Sequence, residues 1–338
     1  MSKFQPGPGW RSGSAADAAW MPSAQRDAVR LRAWINRLFR EFFHARGVLE
    51  VETPILSASG NTEPNIASFH TEFSGHGDAG ARRRWLRTSP EYPLKRLLAA
   101  GVGDCYELGR VFRNGEAGGR HNPEFTLLEW YRVGWDHLRL LEEAVELVNA
   151  ALALVGRTAA LRITSYRDVY QDVLGLDPFE ASDDQLRAAL GEEMVDPSGL
   201  SRDDWLDLLM THRIQPGFPD DVMTAVHDWP ASQAALARIR GGHPPMAERF
   251  ELYLGSVELA NGYHELCDAD EQRQRFENDL RRRTLRGDVL PPIDSALLAA
   301  LPLLPQCAGV ALGVDRLLMA LLGTDRIRDV VTIAFPDA

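Results

Sequence analysis

Residues 109–132 read Gly109-Arg110-Val111-Phe112-Arg113-Asn114-Gly115-Glu116-Ala117-Gly118-Gly119-Arg120-His121-Asn122-Pro123-Glu124-Phe125-Thr126-Leu127-Leu128-Glu129-Trp130-Tyr131-Arg132. A short strand-like run at 106–112 leads into a polar, glycine-rich loop at 114–123. The chain then alternates, with Phe125, Leu127, Glu129 and Tyr131 on one face and Thr126, Leu128, Trp130 and Arg132 on the other. A period of two marks a strand, so the stretch predicts an antiparallel hairpin with a long charged tip. The tip carries Arg113, Glu116, Arg120 and His121, groups that suit a polyphosphate, and Phe125 can stack on a flat base. Glu129 is out of place in an apolar strand. A buried carboxylate needs a partner, and a ligand ammonium would supply one.

The order Phe-Arg-Asn, loop, Arg-His-Asn-Pro-Glu-Phe-Thr, then Glu and Tyr resembles motif 2 of the class II aminoacyl-tRNA synthetases, specifically the lysine-type enzymes. The resemblance implies an α+β fold, the class II synthetase catalytic core, with an antiparallel β-sheet flanked by helices. On the N-terminal side, Val29, Trp34, Ile35, Leu38, Phe39, Phe42 and Phe43 recur at helical spacing. They predict an amphipathic helix over 25–46, capped by Ser23 and ended by Gly47. A strand-like run at 48–56, with Pro54 near its end, follows it. This pair resembles motif 1, which builds a dimer interface in that family, and the aromatic surface of the helix adds to the expectation of a homodimer.

Between these motifs, 62–73 reads as a mobile polar loop and 82–88 as a strand. Ser89 and Pro90 suit the cap and first position of a helix carrying Leu94, Leu97 and Leu98 inward. Thr88-Ser89-Pro90-Glu91 matches the sequence that lines the amino-acid pocket in lysine-type enzymes.

Beyond the hairpin, 136–155 predicts a helix capped by Asp136. Short helices are expected near 183–190, 200–212 and 230–240, and a strand at 249–259. A charged helix at 268–286, a strand at 310–313, a helix at 315–322 and a final strand at 330–334 complete the chain. Residues 1–23, rich in Gly, Pro, Ser and Ala, read as a loose arm. Residues 24–338 read as one catalytic domain with a helical insertion at about 172–228.

Glu251 and Glu258 lie seven residues apart, which places them on opposite faces of an ideal strand, so convergence requires a bulge or bend near Gly255. Asn261-Gly262 is a turn signal. Gly309-Val310-Ala311-Leu312-Gly313-Val314-Asp315-Arg316 is a glycine-bearing strand ending at a helix start, where backbone can approach a ligand closely. It resembles motif 3. The resemblance implies that Arg113, Asn114, Gly115, Glu116, His121, Phe125, Glu258, Leu259, Gly313 and Arg316 contact ATP, with Arg113 and Arg316 catalytic. It implies Mg²⁺ on Glu251 and Glu258, and an amino-acid pocket formed by Ser89, Pro90, Glu91, Glu129, Tyr131, Asn261, Glu265 and Ala311. Glu265 would pair a side-chain ammonium. The family pattern Arg-Asn-Glu is broken here by Gly115, with Glu116 one place later.

The net charge of -11 makes the chain a poor non-specific binder of nucleic acid. No run reaches the roughly 18 apolar residues of a membrane span, and the N-terminus carries no apolar signal-peptide core. A cytoplasmic location is expected. Cys105, Cys267 and Cys307 form no CxxC pair, against a structural zinc site or a disulfide framework. Only Lys3 and Lys95 are lysine, a bias to which no function is attached. No anticodon-binding module precedes the first helix in this sequence. The resemblance is therefore to the lysyl-tRNA synthetase paralogues that attach β-lysine to translation elongation factor P. Ala311 stands where lysyl-tRNA synthetases usually carry Gly, which points to β-lysine over lysine. A minimal synthetase acting on tRNA and a silent, regulatory paralogue are the alternatives, with tRNA the less expected partner.

Overall fold

A computed structural model describes residues 4–5, 20–191 and 199–338. In chain order the first half forms α1 (Arg26–His44), β1 (Leu49–Glu50), β2 (Leu56–Ser57), β3 (His70–Glu72), β4 (Arg83–Leu86), α2 (Glu91–Ala99), β5 (Cys105–Phe112), β6 (Glu124–Val133) and α3 (His137–Leu154). Next come β7 (Ala160–Ser165), α4 (Tyr166–Leu174), α5 (Asp183–Leu190), α6 (Arg202–Leu209), β8 (Val222–Pro230) and β9 (Ile239–Arg240). The chain ends with β10 (Met246–Leu254), β11 (Val257–His264), α7 (Ala269–Arg286), α8 (Ser295–Ala300), β12 (Cys307–Gly313) and α9 (Val314–Leu322).

One large sheet runs β1-β5-β6-β12-β11-β10-β8-β7, with β9 on β10. Its pairs are antiparallel except β1 on β5 and β7 on β8 at the two edges. The alternation in β6 divides the layers. Leu128 and Trp130 join Ile35, Phe39 and Phe43 of α1, Leu147 and Leu152 of α3 and Leu317 of α9 in one core. Each such side chain contributes about 1.5–3 kcal/mol by leaving water. Trp130 Nε1 donates to Glu143 Oε2 at 3.0 Å, so the indole N–H is satisfied inside that core. A small sheet, β2-β4-β3, stands apart. Helices α4–α6 carry a second core, Tyr166, Tyr170, Leu186 and Leu209, against Trp229 of β8 and Tyr253 of β10.

Several expectations are corrected. Residues 230–240 are not a helix. Pro230 ends β8, a 3-10 turn spans Ala231–Gln233, and Ala235 takes a φ of +48°. Arg275 of α7 donates to the carbonyls of Ala235 and Ala237, holding the chain open there. Residues 330–334 form no strand. Val330 and Val331 are buried in the core, and Ser23 N donates to Thr332 O while its Oγ accepts from Ala334 N. Ser23 therefore does not cap α1, whose cap residue is Gln25. The strand expected at 249–259 is a hairpin turning at Gly255, φ +55°. Gly262 lies within β11, not in a turn. The Phe250 ring crosses it so closely that a Cβ would stand 2.4 Å from a ring carbon.

The loop expected to be mobile at 62–73 is tied down, because the buried Arg283 guanidinium donates to the carbonyls of Thr62, Glu63 and Ile66 at 2.6–3.0 Å. The aromatic surface of α1 is intramolecular. Phe39, Phe42 and Phe43 are buried, and Trp34 alone of its aromatic residues is exposed. The arm expected at 1–23 falls almost wholly outside the described residues, as does part of the expected insertion.

Candidate active site

The face of β6 that carries Phe125, Leu127, Glu129 and Tyr131 opens onto a cleft of about 830 Å³. Strands β11 and β12 extend its floor and α2 closes one end. Acids gather at that end. Ser89 Oγ donates to Glu129 Oε2 and Tyr131 Oη to Glu129 Oε1, both at 2.8 Å. Neutral donors thus hold the carboxylate without matching its charge. Burial, joined by the charge of Glu91, pushes its carboxyl up to about 8. Burial raises Glu265 in the same way, with Lys95 opposing.

Lys95 Nζ lies 2.6 Å from Glu91 Oε1 and 2.6 Å from Glu265 Oε2. Burial by itself would depress this ammonium, but the two carboxylates outweigh it and hold its pKa above the ordinary lysine range. The ammonium contacts two of the three carboxylates here, Glu91 and Glu265, and when all three are ionised two negative charges are left unmatched. A low-dielectric pocket in that state favours cations strongly.

The floor is shaped to keep these groups reachable. A Cβ on Gly309 would stand 2.2 Å from the Tyr131 ring and 2.6 Å from Glu265 Oε1, so glycine is what leaves room for both. Ala311 pairs in register with Glu129 and Asn261, and its methyl lines the cleft. Asn261 is held by Arg249 Nε at 3.2 Å and donates to Tyr263 Oη at 3.0 Å.

The opposite end is positive. Arg113 Cζ lies 5.1 Å from the Phe125 ring centroid, Nη1 lies 3.6 Å from Glu116 Oε1, and Nε is buried without a hydrogen-bond partner. Arg316 Nη1 donates to Glu258 Oε2 and Nη2 to His121 Nε2, each at 3.0 Å. Burial, then the Arg316 charge, lowers the His121 pKa and keeps the imidazole a neutral acceptor. Asp315, at the start of α9, accepts from Thr126 N at 2.7 Å and from Arg32 of α1. One buried carboxylate thereby ties α1, β6 and the helix carrying Arg316 together.

Not every expected residue reaches the cleft wall. Pro90, Asn114 and Gly115 stand behind it. Asn114 N donates to Ala67 O at 2.7 Å, and Gly115 has a φ of +88°, a left-handed conformation that strains any other residue. This is the physical basis for the departure from Arg-Asn-Glu, and Glu116 lines the cleft one place later. Glu251 is also absent from the wall, bonded by Arg249 and Tyr253. The β10–β11 hairpin, with a register shift at Leu252/Tyr253, nonetheless brings it near Glu258. Burial, and after it the Glu258 charge, raise the Glu251 pKa to about 7 against Arg249. A buried carboxylate whose charge its neighbour's carboxylate disfavours fits a site for a divalent cation.

The sequence reading missed Lys95 and Gly309. Lys95 had a signal: it is four residues after Glu91 on α2, the spacing that places two side chains on one face.

The chain matches the family model for class II tRNA synthetases (D, K and N) over residues 18–338. It is 46% identical over 323 residues to the elongation factor P–(R)-β-lysine ligase of Vibrio cholerae, covering 94% of this chain and 98% of that protein. The protein of the same name from Mannheimia succiniciproducens is 46% identical over 323 residues, covering 95% and 98%. That from Vibrio parahaemolyticus is 44% identical over 323 residues, covering 94% and 99%. The chain belongs to the class II aminoacyl-tRNA synthetase family.

Proposed function

We propose that this member of the class II synthetase family is an ATP-dependent ligase. It activates (R)-β-lysine, or lysine, as an acyl-adenylate and transfers it to a lysine side chain of translation elongation factor P. The observation that carries this reading is the charge division of the cleft. Glu91, Glu129 and Glu265 with the single Lys95 leave two negative charges unmatched at one end, which suits a substrate bearing two ammonium groups. Arg113 and Arg316 at the other end suit a triphosphate, and the names of the relatives supply the acceptor.

In the first step an oxygen of the amino-acid carboxylate bonds to the α-phosphorus of ATP. The bond from that phosphorus to the bridging oxygen breaks, and pyrophosphate leaves. No proton need move, so positioning and charge stabilisation carry the step. Arg113 acts on the α-phosphate, His121 and Arg316 on the outer phosphates, and Phe125 stacks on adenine. Mg²⁺, which Glu251 and Glu258 would hold, supplies positive charge to the phosphates. In the second step the acceptor amine attacks the adenylate carbonyl. An amide forms, AMP leaves, and the amine gives up a proton to solvent.

Ala311 places a methyl at the floor beside Glu129, and this methyl favours β-lysine, whose amine sits one carbon farther along. A homodimer forms through α1 and the 48–56 segment, in which Trp34, Leu49, Ile55 and Leu56 are exposed apolar residues, and no described helix is long and apolar enough to cross a membrane. ATP–pyrophosphate exchange in the presence of each amino acid tests the reading, and exchange that ignores the second amine would refute it.

A further inference from the structure

On the side of the sheet where α3 begins, three side chains converge that the ligase reaction does not use. His137 is the first residue of α3, Glu248 lies on β10 and His264 ends β11. One ligand atom from each lies within 4.8 Å of the other two. His137 is 3% exposed, yet neither ring nitrogen has a hydrogen-bond partner. A buried imidazole with neither nitrogen hydrogen-bonded is destabilising, and a bound partner removes that cost.

His264 gives an independent argument. Its Nε2 faces Gln306 Oε1 at 3.2 Å, and its Nδ1 faces Glu248 Oε2 at 2.6 Å. Arg238 Nη1 donates to Gln306 Oε1 at 3.3 Å, which fixes that amide with its oxygen toward both. Nε2 therefore carries the proton and donates to Gln306. That leaves the Nδ1 lone pair opposed to a carboxylate oxygen, an arrangement that needs a cation between them. A proton would satisfy those two atoms but leave His137 unpartnered. A metal ion satisfies all three, and the Gln306 contact then orients a ligating histidine through its far nitrogen.

We propose that His137, Glu248 and His264 form a binding site for a divalent transition-metal ion, zinc in the first instance, outside the catalytic cleft. Two imidazoles and one carboxylate are an established zinc donor set, with a fourth position left for water. Zinc bonds of about 2.0–2.2 Å place tetrahedral ligand atoms roughly 3.3 Å apart, so His137 must close in, the 2.6 Å contact between His264 Nδ1 and Glu248 Oε2 must open around the ion, and Glu248 must give up its 3.8 Å approach to Arg238. The ion would pin the start of α3 to the β10–β11 hairpin, which carries Glu251 and Glu258 and leads directly into Glu265.

The test uses the full-length protein, stripped with chelator and titrated with Zn²⁺ in the absence of ATP and Mg²⁺. The expected result is one zinc per chain with a micromolar or tighter Kd, and a thermal midpoint that rises with zinc concentration as mass action requires. His137→Leu should fold, keep pyrophosphate exchange, lose the zinc-dependent rise and bind zinc at least a hundredfold more weakly. Co²⁺ in place of zinc should give visible ligand-field absorption in the wild type and not in the variant. Wild-type protein that takes up no zinc overturns the proposal. So does zinc binding of equal strength in His137→Leu, which would place the ion on Glu251 and Glu258. If His137→Leu does not fold, Glu248→Gln carries the same comparison.

Discussion

Lys95 and Glu265 form a 2.6 Å ion pair in which each side chain is only 1% exposed. The pair lies at the acid-lined end of the cleft, and the same ammonium reaches Glu91. Lys95→Met should leave two buried carboxylates uncompensated and cost about 3–5 kcal/mol. The measure is a lower urea midpoint at unchanged slope. The deficit should be smaller at pH 6 than at pH 9, because an uncompensated carboxylate of raised pKa takes up a proton as pH falls. A loss under about 1 kcal/mol, the range of a surface pair, would mean the pair does not hold the pocket.

The upward shift of Glu129, which only neutral donors hold, sets a pH dependence for substrate capture. Burial and the Glu91 charge push its carboxyl up to about 8, and a protonated carboxyl cannot pair an ammonium. kcat/KM for the amino acid should therefore rise as pH goes from 6 to 8, by up to about tenfold per unit. KM for ATP should show no such rise. Glu129→Gln should flatten the profile, and an unaltered profile in that variant would exclude Glu129 from the titration.

Gly309→Ala should close the floor without disturbing the end that carries Arg113 and Arg316. The added Cβ meets the Tyr131 ring at 2.2 Å and Glu265 Oε1 at 2.6 Å. Overpacking of this kind costs about 1–3 kcal/mol, and it should appear as a raised KM for the amino acid with ATP binding retained. Equal losses for both substrates would point to general damage.

Arg113→Ala and Arg316→Ala should each reduce adenylate formation about a hundredfold, the loss of roughly 3 kcal/mol of preorganised charge stabilisation. Arg316→Ala also frees Glu258 and His121, so its effect on ATP affinity should exceed that of Arg113→Ala. Near-normal exchange in either variant would remove that residue from the chemistry.

Much of this is legible in the sequence. The alternation from Phe125 to Arg132 reports β6 directly, because period two is a property of the strand itself. Asp136 caps α3 as read, since capping is local. What stayed hidden depends on pairing at a distance. Residues 230–240 look helical alone, but Arg275 and strand β10 compete for their backbone. Asn261-Gly262 looks like a turn, but Phe250 across the sheet requires the glycine. Lys95 was visible as one of two lysines. Its role was not, because only the fold brings Glu265 to it.

The central claim is that the cleft selects a diamine and hands it to a protein. Its most direct test supplies ATP, labelled (R)-β-lysine or lysine, purified elongation factor P and bulk tRNA together. The account predicts label on a lysine of elongation factor P, stronger from β-lysine than from lysine, and none on tRNA. Ala311→Gly should shift that preference toward lysine by about tenfold. Label accumulating on tRNA, or on neither acceptor despite active exchange, would contradict it.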